Sequence, residues 1–142
     1  MASNFFIKLA ALTLAFISCT AQCCTVNNAA TANVRAVVKQ NGGWPVSDNQ
    51  CALLNKYKLG LNVTAKAAVL SGVNVGWAAV SLISETNIIS DEVGISTTVN
   101  TSMASQPTAD KVMYEAISDA IDKLNWQAAA VQVDKYRVLS KK

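Results

Sequence analysis

Hydrophobic and polar positions along this chain form one nearly unbroken apolar run, several stripes at helical spacing, and stretches of strict alternation. In residues 28–40, Ala30, Val34, Val37 and Val38 recur at i, i+4, i+7 and i+8, which predicts a helix. Asn41-Gly42-Gly43 stops it, because Asn and Gly accept the left-handed conformation a helix end needs. Trp44-Pro45 follows as a stiff extended connector. Ser47 and Gln50 have capping-box spacing and predict a second helix over 48–58, ended by Gly60. Its expected apolar face is Ala52, Leu53, Tyr57 and Leu59, with Cys51 near its start.

The period then changes to two. Leu61, Val63, Ala65, Ala67 and Val69 point one way and Asn62, Thr64 and Lys66 the other, as in a half-buried strand. After a Ser71-Gly72 turn, residues 73–83 resume the alternation with Val73, Val75, Trp77 and Ala79 on one face, so a hairpin is expected. Gly76 beside Trp77 marks either a bulge or a spot where a large side chain lies over bare backbone. A polar connection over 84–93 leads to a third strand over 94–102, with Ile95, Thr97, Val99 and Thr101 on one face; Ile88-Ile89 is a candidate strand extension. The strongest stripe is Ala109, Val112, Met113, Ala116, Ile117, Ala120, Ile121 and Leu124, a helix over 109–124 with Thr108 as its cap. Residues 125–139 fit either a continued helix or a short strand.

The expected class is α+β, a three-stranded antiparallel meander with helices packed on one face, in the order α-α-β-β-β-α. Part of that order is shared with the double-stranded-RNA-binding domain. Export, weak charge and the lack of a basic cluster at the start of the last helix argue against that function.

The unbroken run is Leu9 to Ile17, interrupted only by Thr13. Lys8 precedes it and the small residues Ser18 to Ala21 follow it, which is the layout of a secretory signal. The run is too short to span a bilayer, which takes about 20 apolar residues. Residues 1–21 are therefore expected to be a signal peptide, cut after Ala21 or as late as Cys23, and 22–142 a single domain that acts in the periplasm or outside the cell. Lipidation at Cys19 is a weaker alternative, since Phe16-Ile17-Ser18 lacks the leucine expected three positions before the cysteine.

Cleavage removes only Lys8 of the 12 basic residues, leaving 9 acids nearly balanced and a net charge of +2. So small a charge, spread along the chain, gives no reason to expect nucleic acid as partner. The cysteines are Cys19, Cys23, Cys24 and Cys51. Only Cys51 lies in the body of the domain, so a bridge to it must use Cys51. Cys24–Cys51 is expected, with Cys23–Cys51 as the alternative and a buried free thiol as the third reading. A cut after Ala21 leaves one cysteine unpaired; a cut after Cys23 leaves a matched pair.

Histidine is absent from the sequence, which removes Ser-His-Asp and Cys-His catalysis and most zinc hydrolysis. The cysteine spacing does not suit zinc either, and no glycine pattern cradles a phosphate, so no metal or cofactor is expected. Asp91-Glu92 is the one adjacent acidic pair and reads as a polar loop. Asn62-Val63-Thr64 and Asn100-Thr101-Ser102 match the N-glycosylation pattern, which matters only in a eukaryotic host. Trp44 with Pro45, and Trp77, are candidate binding-surface residues, with core packing as the competing role. Three readings follow. A non-enzymatic exported protein that binds a protein partner, as an inhibitor, immunity-type protein or envelope accessory, requires an exposed apolar patch or an open sheet edge. A small hydrolase requires two carboxylates roughly 5–9.5 Å apart across a cleft. A self-assembling surface protein would use strands 61–83 as its pairing edge.

Overall fold

The computed structural model of the chain describes residues 24–140. The expected signal peptide, with Cys19, and Cys23 lie outside the described residues. The elements are β1 (Asn28–Ala29), α1 (Ala32–Gln40), α2 (Asp48–Tyr57), β2 (Leu59–Leu70), β3 (Val73–Ser84), β4 (Gly94–Asn100), α3 (Gln106–Lys123) and α4 (Trp126–Leu139). The α+β class holds, with one more strand and one more helix than the pattern predicts. The sheet order is β1-β2-β3-β4. The β2–β3–β4 meander is antiparallel, while β1 runs parallel to β2 and makes the sheet mixed.

The added strand corrects the helix expected over 28–40. The structure begins α1 at Ala32, with Thr31 as N-cap accepting from the Val34 backbone. Asn28 and Ala29 pair instead with Leu61 and Asn62, and the Leu61 N–H donates to the Asn27 carbonyl at 2.9 Å. Ala30 fits the helical stripe but precedes the helix. The Cys24–Cys51 disulfide is present and spans a sequence separation of 27. Closing such a loop contributes roughly 3 kcal/mol in the chain-entropy model. It fastens the start of the described chain to α2, which keeps β1 beside β2.

Ser47 and Gln50 cap α2 reciprocally as the sequence predicts. The buried residue of α2 is Leu54, not Ala52, which is exposed. Lys58, in the left-handed region at φ 51°, ends the helix. Gly60 is a strand residue instead: a Cβ there would lie 2.5 Å from the Asn27 carbonyl oxygen, so it admits β1 rather than stopping α2.

Helix α3 starts earlier than its stripe. Ser105, not Thr108, is the N-cap, and its hydroxyl accepts from the Thr108 backbone at 3.3 Å. Buried Asn74 positions that cap: its Oδ1 accepts from the Ser105 N–H at 3.0 Å and its Nδ2 donates to the carbonyls of Asn100 and Met103. Leu124 leaves the helix with extended backbone, and Asn125 caps α4, so residues 125–139 are helical.

Helix α3 lies directly on the sheet. A Cβ on Gly76 would lie 2.5 Å from Met113 Cα, and one on Gly94 would collide with the Ala120 carbonyl. Gly76 is therefore a seat for helix backbone and not a bulge, since the pairing of β3 with both neighbours runs through it unbroken. The core follows from this seating. Leu59, Leu61, Val63, Ala78, Val80 and Leu82 are the buried apolar strand residues, and all have the side-chain parity that faces α3. Val34, Val37, Val38 and Leu54 close the layer from α1 and α2, and Ala129, Ala130 and Val133 from α4.

Gly76→Ala should destabilise the fold by about 1–3 kcal/mol, because the methyl meets helix backbone that cannot yield locally. Urea unfolding with the disulfide intact measures this. A change below about 0.5 kcal/mol would mean that α3 does not sit on Gly76 as described.

Candidate functional site

The sheet has two faces and only one is used by the core. On the other, the strand registers set side chains in rows. At one end Asn62 faces Ser81, which is buried; the open rows are Leu70 with Val73, then Ala68 with Val75 and Val99, then Lys66 with Trp77 and Thr97, then Thr64 with Ala79 and Ile95. None of the residues in the open rows is buried, and Ile95 at 62 %, Leu70 at 58 %, Val99 at 57 % and Trp77 at 38 % are the large apolar ones most open to solvent. They lie on three adjacent strands, so they form a band rather than scattered points. Contiguous exposed apolar surface of this kind is unusual in a protein that acts alone. Its one charge is Lys66.

The band ends at an open edge. β4 pairs with β3 on one side and has no strand on its other side among the described residues. β1 pairs only with Leu61 and Asn62, which leaves most of β2 without a strand partner on its outer side. β3 is paired along both sides, so the available edges are β4 and distal β2, not the whole 61–83 hairpin expected from the sequence.

The structure separates the aromatic candidates. Trp77 stands in the uncovered band, opposite Lys66 and Thr97. Trp44 packs half-buried against the core, and Pro45 beside it is also half-buried. The Tyr114 hydroxyl donates to the Gly43 carbonyl at 3.1 Å, tying the Trp44 connector to α3. Trp44 and Pro45 therefore do not join Trp77 in one surface. Leu70, Val75, Ile95 and Val99 belong to the band but were not among the candidate binding-surface residues read from the sequence. Their signal was parity with Trp77 across three strands.

Three of the acidic residues make local contacts. Asp91 fastens the 84–93 connection to α4: it accepts from Gln132 Nε2 at 2.7 Å and from the Tyr136 hydroxyl at 2.9 Å. Asp134 pairs with Arg137 at 3.1 Å, and Asp110 accepts from Gln106. A surface recess of about 330 Å³ between Asn28, Lys58, Ser84 and Asn87 includes Glu85 as its single carboxylate. A second, beside Gln127, Val131 and Lys135, includes none. No group of three or more metal-ligating side chains occurs among the described residues, and none of their helices is long and apolar enough to cross a membrane. No family model, curated protein or solved structure matches the chain.

The Asp91 carboxylate raises the Tyr136 phenol above its ordinary value, first through their hydrogen bond and then through its charge. The folded state thus holds that proton more tightly than the unfolded chain. The stabilisation is complete below the ordinary tyrosine pKa of about 10 and fades as pH rises through the raised value. Asp91→Asn should bring Tyr136 back toward the ordinary range in a spectrophotometric titration. An unchanged titration would show that the contact does not form in solution.

Proposed function

We propose that this chain is a small exported, non-enzymatic binding protein that engages a protein partner through the uncovered face of its sheet. One observation carries the reading: Trp77, Ile95, Val99, Val75 and Leu70 form a continuous apolar band over β2, β3 and β4 that no element covers among the described residues. The disulfide suits an oxidising compartment and supports export. The band's single charge, Lys66, suits a partner surface that is apolar and has a carboxylate at its margin. Covering Trp77, Ile95 and Val99 would contribute roughly 1–2 kcal/mol each, enough for a specific complex once hydrogen bonds at the rim are added. Neither recess brings two carboxylates together, so hydrolysis has no comparable support.

Affinity capture from the native host, with the mature protein as bait, tests this. Wild type should retain a partner that Trp77→Asp loses, with binding weakened at least about tenfold, and that Val131→Lys on α4 keeps. Circular dichroism confirms that both variants are folded. Equal retention by wild type and Trp77→Asp, or no partner at all, would contradict the proposal.

A further inference from the structure

We propose that the mature chain forms a symmetric homodimer in which β4 pairs antiparallel with β4 of a second copy, about a two-fold axis through Thr97. Edge and face are different groups of atoms, so this goes beyond the partner reading and does not depend on it.

The edge of β4 is undefended. Natural edge strands are blunted by lysine, proline, bulges or a covering element. Gly94–Asn100 contains no charged residue and no proline, and its register with β3 is unbroken from Gly94 to Asn100. The other free edge, in β2, differs by carrying Lys66.

The strand is also complementary to itself. A two-fold through Thr97 places Ile95 opposite Val99, Ser96 opposite Thr98, and Thr97 opposite its own copy. Each apolar side chain meets an apolar one and each hydroxyl meets a hydroxyl. Ile95, Thr97 and Val99 share one parity, so the Ile95–Val99 contacts form on the uncovered face, where both residues are more than half exposed. An isologous interface demands this palindromic pattern, whereas a foreign strand does not. Cross-strand aliphatic and Thr–Thr pairs are the favourable kind. The same spacing carries Glu92 toward Ser102 and Asp91 toward Met103 of the second copy, while the Lys123 ammonium, which donates to Ser96 Oγ at 3.2 Å, stays on the α3 side of the strand.

The axis stands perpendicular to the sheet. Both uncovered faces therefore lie on the same side, and the two Trp77 bands join across the dyad into one surface of twice the width. Pairing of β4 with distal β2 would instead leave free edges at both ends and grow without closing.

Sedimentation velocity of the mature, disulfide-bonded protein over a wide concentration range tests the proposal. Wild type should be dimeric. Thr97→Lys and Thr97→Glu each place two like charges at the dyad, and each should weaken association at least about tenfold. Thr97 is exposed, and circular dichroism should show both variants folded. Mixed in equal amounts at low salt, the two variants should recover the dimer, since lysine then faces glutamate. Val131→Lys, at an exposed apolar site on α4, should leave the dimer intact. A monomeric wild type, larger polymers, a dimer indifferent to Thr97→Lys, or no recovery on mixing would each overturn the proposal. None of these outcomes would by itself remove the partner-binding face, which Trp77→Asp tests separately.

Discussion

The rest of the structure depends on how closely α3 approaches the sheet. Gly76 and Gly94 offer bare backbone on β3 and β4, and Met113 and Ala120 rest against it. Small residues continue the contact on the helix side at Ala109, Ala116 and Ala120. Such close seating selects one side-chain parity of the sheet as core. Leu61, Val63, Ala78, Val80 and Leu82 then pack under α3, with α1, α2 and α4 filling the margins. Apart from buried Ser81, the other parity is left to solvent from Val73 to Ala79 although it carries Trp77 and Val75, with Ile95 and Val99 beside them on β4. The exposed band is thus the complement of a core built on glycine and alanine.

The N-terminal arm completes the fold without closing the sheet. Cys24–Cys51 anchors it to α2, and Gly60 lets the Asn27 carbonyl come close enough to accept from Leu61. The arm then pairs for only two residues before Thr31 turns it into α1. One edge is shielded where the arm passes, and β4 has no strand on its outer side among the described residues. An oxidised bridge at one end of the sheet and an uncharged strand at the other give the molecule a fastened side and an open side.

Local signals made much of this legible. The capping box placed α2, the eight-residue stripe placed the body of α3, and the two-residue period with its Ser71-Gly72 turn placed the β2–β3 hairpin. The cysteine distribution required Cys51 in any bridge and favoured Cys24 over Cys23 as its partner, and Cys24 is the one found. What failed was set by tertiary contacts. A two-residue strand has no pattern of its own, and Ala30 happened to fit the helical stripe, so β1 read as helix. Asn74 carries no pattern signal of its own, yet it points inward, where its buried amide holds the β4–α3 turn. The inner parity of β3 is Asn74, Gly76, Ala78, Val80 and the outer is Val73, Val75, Trp77, Ala79. The outer is the more hydrophobic, so alternation alone could locate the strand but not say which face is core. The glycines decide it, because only a face lacking side chains admits the helix so near.

The central claim is that Trp77's face is open to solvent while α3 covers the other. Hydroxyl-radical footprinting of the dilute mature protein, read by mass spectrometry, tests it most directly. Trp77 should be modified readily, and Met113, fully buried on α3 over Gly76, should be protected until the chain unfolds. A protected Trp77 with a reactive Met113 would contradict the assignment of faces on which both the fold and the proposed function rest.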